Sequence, residues 1–315
     1  MNKAVLFIIF NRFEETRTVF EQIKMAKPPR LYILSDGTRN NRQGEKELVQ
    51  QIRDFVLSNI DWNCDVKTRF LDKNLGCGYG IYQGLNWFFE NENDGIILED
   101  DCVPSLSFFN YAEELLDKYK DDKQIWHISG SNFLENIKTP YDYYFSKIMH
   151  GWGWATWKDR WQKFDFDISF FNTKNLYKFS KDKNVQTYWK EIYNLLKNND
   201  VEAWDYQWLF KIIDNNGICI TPTKNLVTNI GTNGVHFKNA YDHHRLNQKS
   251  YQLETLNHPC EVRIDEDIIN LTYKKVFKIK STKDKIKALI EGIKVYLLCK
   301  VWYARNNINK SHSKN

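Results

Sequence analysis

The first 130 residues carry five short strand-like segments separated by four amphipathic stretches, and few folds accept that pattern. They are Ala4–Phe10, Leu31–Leu34, Val66–Phe70, Ile96–Leu98 and Ile125–Ile128, of which the first, second and fourth are unbroken apolar runs. Continuous apolar runs of this length read as strands buried on both faces, as in a parallel sheet. Between the first two, Glu14 to Met25 has helical spacing with Phe13, Val19, Phe20 and Ile23 on one side, and Pro28-Pro29 stops it. A second helix is expected from about Gly44 to Ser58, with Leu48, Ile52, Phe55 and Val56 inward. A third runs from the glycine-rich Leu75–Gly80 to about Glu90, and a fourth starts at Pro104 and continues through Phe108, Phe109, Leu115, Leu116 and Tyr119. This alternation predicts an α/β fold with a doubly wound, mostly parallel, Rossmann-like sheet.

The fourth run ends in three carboxylates, Glu99-Asp100-Asp101. Ligands of open α/β sheets bind outside the carboxyl ends of the strands. Adjacent carboxylates repel, and they are tolerated side by side where they are solvated or where a hard divalent cation sits among them. A solvated surface turn is the plain alternative. The other strand ends are also polar: Asn11-Arg12 after the first, and Ser35-Asp36-Gly37 after the second. The cluster Leu75-Gly76-Cys77-Gly78-Tyr79-Gly80 has some likeness to a dinucleotide fingerprint but lacks the G-x-G-x-x-G spacing after the first strand. It reads as a tight loop opening a helix N-terminus, or simply as a turn.

After Asn132 the pattern changes. Phe145 to Phe164 is crowded with aromatics around Gly151-Trp152-Gly153-Trp154-Ala155-Thr156-Trp157. Helical segments follow near Thr187–Lys197 and Ala203–Asp214, then a short strand Ile218–Ile220 and the polar, glycine-rich Asn229–Phe237. Aromatic rings pack on the CH-rich faces of sugars, so Trp152, Trp154 and Trp157 are expected either to face a flat or sugar-like ligand or to fill the core. The chain holds 11 Trp, 17 Tyr and 20 Phe, enough for both uses.

Charge is uneven. The net charge is +5, yet Thr272 to Asn315 alone carries 12 Lys/Arg against 2 Asp/Glu. That leaves a mildly acidic body and a basic tail suited to an anionic partner. Within the tail, Ile286, Leu289, Ile290, Ile293, Leu297 and Val301 recur at helical spacing, which predicts a basic amphipathic helix from Asp284 to Arg305. It reads as a peripheral membrane contact through residues 280–305, or as a helix docking on the domain or on a second subunit. The six cysteines are scattered without zinc spacing. The first apolar run is too short for a transmembrane span and lacks a cleavage site, so a cytoplasmic location is expected, peripheral on the inner face of the membrane if the tail binds there.

In this ordered set the chain resembles nucleotide-sugar-dependent glycosyltransferases of the GT-A fold. The resemblance is closest to the N-acetylglucosaminyltransferase I type and its bacterial sugar-transferase relatives. It is carried by Arg12, Ser35-Asp36, Glu99-Asp100-Asp101 in the place of the DxD motif, Phe108-Phe109, Trp126-His127-Ile128-Ser129, Gly151–Trp154 and Trp204-Asp205-Tyr206-Gln207-Trp208. It covers about residues 4–237, and implies a glycosyltransferase domain over 1–240 (a nucleotide-sugar half, 1–132, and an acceptor half, 133–240) followed by an extension, 241–315. The implied reaction is an inverting sugar transfer from a nucleotide diphosphate donor, a UDP-sugar, to a glycan or glycolipid acceptor, assisted by Mn²⁺ or Mg²⁺, with no nucleic-acid partner.

By the same resemblance, Asp101 is the metal ligand, with His236 as a second, although the N-acetylglucosaminyltransferase I type does not use a histidine there. Glu99 and Asp100 reach the donor sugar and ribose, Phe10 and Arg12 contact the nucleotide, and Asp36 the base. Asp205 is the catalytic base, flanked by Trp204 and Trp208; Tyr206 stands where the relatives carry a second acid, and Glu202 is a nearby alternative. Trp152 and Trp154 are expected on the acceptor side. Two other functions share parts of this pattern. A nucleotidyltransferase would need a glycine-rich basic loop after the first strand, where this chain has Asn11-Arg12-Phe13-Glu14-Glu15. A non-catalytic membrane or nucleic-acid binding protein would need only the basic tail.

Overall fold

The computed structural model describes residues 1–134, 137–200, 203–231 and 246–280. Its main sheet has eight strands in the order β3-β2-β1-β4-β8-β6-β9-β7. They are β1 (Val5–Ile9), β2 (Arg30–Ser35), β3 (Asp65–Phe70), β4 (Asp94–Glu99), β6 (Ile125–Ser129), β7 (Tyr143–Ser146), β8 (Trp154–Trp157) and β9 (Ile218–Pro222). Neighbours β3, β2, β1 and β4 are parallel, as are β6 and β9; β8 runs antiparallel between β4 and β6, and β7 runs antiparallel at the edge. Two short strands, β5 (Cys102–Pro104) and β10 (Val227–Asn229), form a separate antiparallel pair. The α/β, mostly parallel, doubly wound class expected from the sequence is the one this chain adopts.

Successive residues of the central strands feed opposite faces, which is why the apolar runs are unbroken. Val5, Phe7, Ile9, Ile96 and Leu98 meet Val19, Phe20 and Ile23 of α1 (Phe13–Ala26), Ile52 and Val56 of α2 (Glu45–Ser58), and Phe108, Phe109 and Leu115 of α4 (Leu106–Lys118). Leu6 and Ile97 face the other way, toward Leu85 and Phe88 of α3 (Gly76–Asn91). That second face continues through α5 (Lys158–Trp161), α6 (Lys183–Lys197) and α7 (Asp205–Asp214), where Trp161, Trp189 and Trp208 are fully buried.

One expectation is corrected by the fold, and two arrangements are new. Pro104 does not open a helix: it ends β5, and α4 starts at Leu106 after Ser105. The aromatic block contributes strands β7 and β8, both buried along their whole length. The segment 246–280 packs on the body rather than apart from it. Leu253 N–H donates to Ser107 Oγ (2.8 Å), and Asn257 N–H to Asp142 Oδ2 (2.8 Å). A parallel bridge joins Phe145 to Ile264, and α8 (Glu266–Lys275) is tied down by Tyr273, whose hydroxyl donates to the Phe179 carbonyl at 3.2 Å. The basic stretch 284–305 lies outside the described residues. Among the described residues, no helix is long and apolar enough to cross a membrane.

Candidate active site

The strand order reverses between β1 and β4. Connections run outward from β1 through β2 to β3, and from β4 toward the other edge. A doubly wound sheet opens a crevice at such a point, at the carboxyl ends of its strands. Register places Ile8 beside Glu99, so the residues just beyond meet across the crevice. Phe10 N–H donates to Asp100 Oδ2 at 3.2 Å. Arg12 is the N-cap of α1, its backbone held extended and its carbonyl accepting from Thr16 N–H (3.0 Å) and Thr16 Oγ (2.6 Å). That anchored backbone aims the guanidinium at both aspartates. Arg12 Nη1 donates to Asp100 Oδ1 at 3.1 Å and also to Asp101 Oδ2.

The small sheet supports Asp101 from the opposite side. Pairing of β5 with β10 sets Asn229 opposite Cys102. Asn229 Nδ2 then donates to Asp101 Oδ1 (3.1 Å), Ile230 N–H to the Asp101 carbonyl (2.9 Å), and the Cys102 thiol to Asp101 Oδ1 (3.4 Å). Burial keeps that thiol protonated, which suits it to donate. Gly231 closes over the group: a Cβ there would stand 2.2 Å from Asp101 Oδ2, so no larger residue fits without moving the carboxylate. Asn229 and Gly231 were missed as site residues. Their sequence signal was the polar, glycine-rich run that follows Thr228.

Burial and mutual repulsion shape the charge of the site. Glu99 is pushed well above the usual carboxylate range, first by burial and then by Asp101, Asp100 and Asp205. Asp100 is raised to about 7 by burial and by Asp101, against the opposing pull of Arg12. Glu99, Asp100 and Asp101 thus all act on the one Arg12 guanidinium, and Glu99 receives no hydrogen bond among the described residues. Asp205 comes from across the crevice, as the first residue of α7, with Oδ1 accepting from Tyr206 N–H at 2.9 Å. The cluster has the oxygen donors and the excess negative charge that Mg²⁺ or Mn²⁺ requires. Among the described residues, no three such side chains converge into a complete cage. A cation here fits if a substrate completes its shell, as phosphates do for Mg²⁺.

Asp36 sits at the end of β2, and its carboxylate is committed to backbone. It accepts from Gly37 N–H (2.8 Å), Leu75 N–H (2.9 Å) and Gly76 N–H (3.0 Å), so it fastens the start of α3 beside the crevice. Gly37 is needed there, since a Cβ would lie 2.3 Å from the Lys73 backbone.

Trp152 is half-buried and meets Phe133, which follows β6, in a T-shaped contact (4.9 Å between centroids). Gly151 lies against Trp204 and Asp205, where a Cβ would be within 3.9 Å of both. Trp154 departs from expectation. It is 0% exposed, stacked between His127 (5.0 Å) and Trp204 (5.1 Å), so its face supports the core and not an acceptor. Trp157 is buried too, at 3% exposed. His236 and Glu202 lie outside the described residues.

His127 anchors this stack. Trp208 Nε1 donates to its Nδ1 (3.3 Å), which leaves Nε2–H for the His150 carbonyl (3.1 Å) and fixes one neutral tautomer. Burial pushes its pKa down to about 3. A depressed histidine contributes stability that is complete above its unfolded value, near 6.5, and is lost as pH falls toward the folded one. Urea unfolding of wild type is therefore expected to lose about 1.4 kcal/mol more per pH unit below 6.5 than that of His127→Gln. Parallel pH profiles for the two proteins would refute the assignment.

Two clefts, of about 640 and 940 Å³, open near β7 and α8, and neither is lined by Arg12 or by the carboxylates. No family model and no curated protein matches the chain. Among solved structures, S. aureus TarS (1–349) aligns at 9% identity over 72% of this chain and 59% of its own, with a TM-score of 0.38. A UDP-glucose pyrophosphorylase complexed with UDP-glucose aligns at 11% identity over 70% and 90%, TM-score 0.36. Mouse xyloside xylosyltransferase 1 aligns at 9% over 67% and 81%, TM-score 0.34. Superpositions this loose carry no argument about what the chain does.

Proposed function

We propose that this chain is a GT-A-type glycosyltransferase, moving a sugar with inversion from a nucleotide diphosphate donor to an acceptor hydroxyl. One observation carries the reading: Arg12, Glu99, Asp100 and Asp101 meet at the switch point between β1 and β4, with Asp205 facing Glu99 from the N-terminus of α7. A donor diphosphate needs cationic partners on its oxygens, and a guanidinium suits phosphate. Direct displacement also needs one carboxylate to accept a proton, and the site offers one on a separate element.

In this mechanism Asp205 takes the proton of the acceptor hydroxyl as its oxygen attacks the anomeric carbon. The bond from that carbon to the diphosphate breaks on the opposite face, and the electron pair leaves with the diphosphate. Arg12 stabilises the charge that develops there. Asp101 and Asp100 would hold Mn²⁺ or Mg²⁺, which when bound neutralises the departing group as a Lewis acid. Trp152 and Phe133 give the acceptor an aromatic wall beside Asp205.

A screen of UDP-, GDP- and dTDP-sugars with Mn²⁺, read as nucleotide release and as a thermal shift, tests the reading. One nucleotide-metal pair is expected to raise the melting midpoint and to be turned over. Absence of any shift or turnover would sink it. Release of pyrophosphate from a nucleoside triphosphate and a sugar phosphate would point to nucleotidyl transfer instead.

A further inference from the structure

The two aspartates offer four oxygens, and these are held in two different ways. Asp100 Oδ2 and Asp101 Oδ1 are fixed by groups anchored in strands: the Phe10 N–H, and Asn229 with Cys102. The other two, Asp100 Oδ1 and Asp101 Oδ2, are both covered by a single atom, Nη1 of Arg12. That side chain is 27% exposed, and its Nε and Nη2 make no hydrogen bond among the described residues. Arg12 therefore grips the carboxylates with one nitrogen and leaves its Nε and Nη2 donors, a planar fork, to pair with two oxygens of an anion such as a phosphate.

A divalent ion and a guanidinium nitrogen on those same two oxygens oppose each other, because two cations at that separation repel strongly in a partly buried site. We infer that Arg12 acts as a resident counter-ion that gates the metal: the cation gains Asp100 Oδ1 and Asp101 Oδ2 only when a diphosphate draws the guanidinium away. The inference rests on the glycosyltransferase reading and adds an order to it. A metal arriving alone must break two ion pairs with nothing to receive the arginine. A metal arriving with a nucleoside diphosphate exchanges them for an arginine–phosphate pair. Binding of the two is then coupled, and linkage makes the coupling reciprocal. Arg12 also neutralises part of the cluster of adjacent carboxylates.

Direct titration tests this without any turnover. Free Mn²⁺ is followed by electron paramagnetic resonance, with and without UDP, in wild type, Arg12→Gln and Arg12→Lys, each checked for folding by circular dichroism. Wild type is expected to bind Mn²⁺ weakly alone and about 5–150-fold more tightly with UDP. Arg12→Gln removes the competing charge, so Mn²⁺ alone should bind at least about ten-fold more tightly than in wild type. The gain from UDP should shrink correspondingly. Arg12→Lys keeps the competing charge, so Mn²⁺ alone should bind about as weakly as in wild type. If Arg12→Gln does not fold, Arg12→Met, which keeps the aliphatic stem, takes its place. Mn²⁺ affinity in the neutral variants no higher than in wild type would overturn the gate while leaving the enzyme reading intact. A wild type that binds neither Mn²⁺ nor UDP-Mn²⁺ would remove both.

Discussion

Asp205→Asn is expected to lower turnover about 10²–10⁴-fold, with little change in KM for the donor. Asparagine has the same shape, and its Oδ1 can still accept the Tyr206 N–H that Asp205 accepts, so α7 keeps its first turn. What it loses is the capacity to take a proton. The proposed donor side, built on β1 and β4, does not contain this residue, which is why donor binding should survive. Stopped assays of UDP release at saturating donor and acceptor provide the measurement. Full activity in the variant would move the base elsewhere, with Glu202 the first alternative.

The second large effect is expected at Asp101. Asp101→Asn should abolish metal-dependent binding of the nucleotide and reduce turnover by at least about 10³-fold, since it removes charge stabilisation of the leaving group. The fold should stand. Arg12 retains Asp100, Asn229 and Ile230 retain acceptors on residue 101, and one of four crowded charges is gone. Isothermal titration with UDP and Mn²⁺, beside a thermal melt, separates the two statements. A melting midpoint that collapses would show Asp101 to be structural. Undiminished UDP-Mn²⁺ binding would remove it from the metal's ligands.

The two variants fail in opposite ways because the residues reach the crevice by different routes, and those routes were unequally legible. The strand ends could be read directly: an apolar run that stops at Arg12, another that stops at Ser35-Asp36, a third that stops at Glu99. Burial forces the apolar run, and the change to polar residues marks where the sheet meets solvent. Long-range pairing left no such mark. Strand β8 inserts antiparallel between β4 and β6, yet Trp154-Ala155-Thr156-Trp157 shows no alternation, because both of its faces are covered. For the same reason Trp154 read as a sugar platform: aromatic content does not say whether a ring faces a ligand or two other rings. β5 and β10 are three residues each, too short for any period to show. Asp36 shows a third kind of limit. Its place at a strand end was correct in outline, but its carboxylate is spent on three backbone N–H groups of loops far apart in sequence.

The β5–β10 clasp has a consequence for how the protein is made. Asp101 and Asn229 are 128 positions apart, so their contact closes a very long loop. Loop closure of that span carries an entropic cost that only the assembled sheet can offset. A chain emerging from the ribosome amino end first completes β1 through α4 well before Asn229 is synthesised. During that interval the nascent chain carries Asp101 without the amide that will hold it. The proposed site is thus completed late in synthesis, and nucleotide binding should appear after most of the secondary structure has formed.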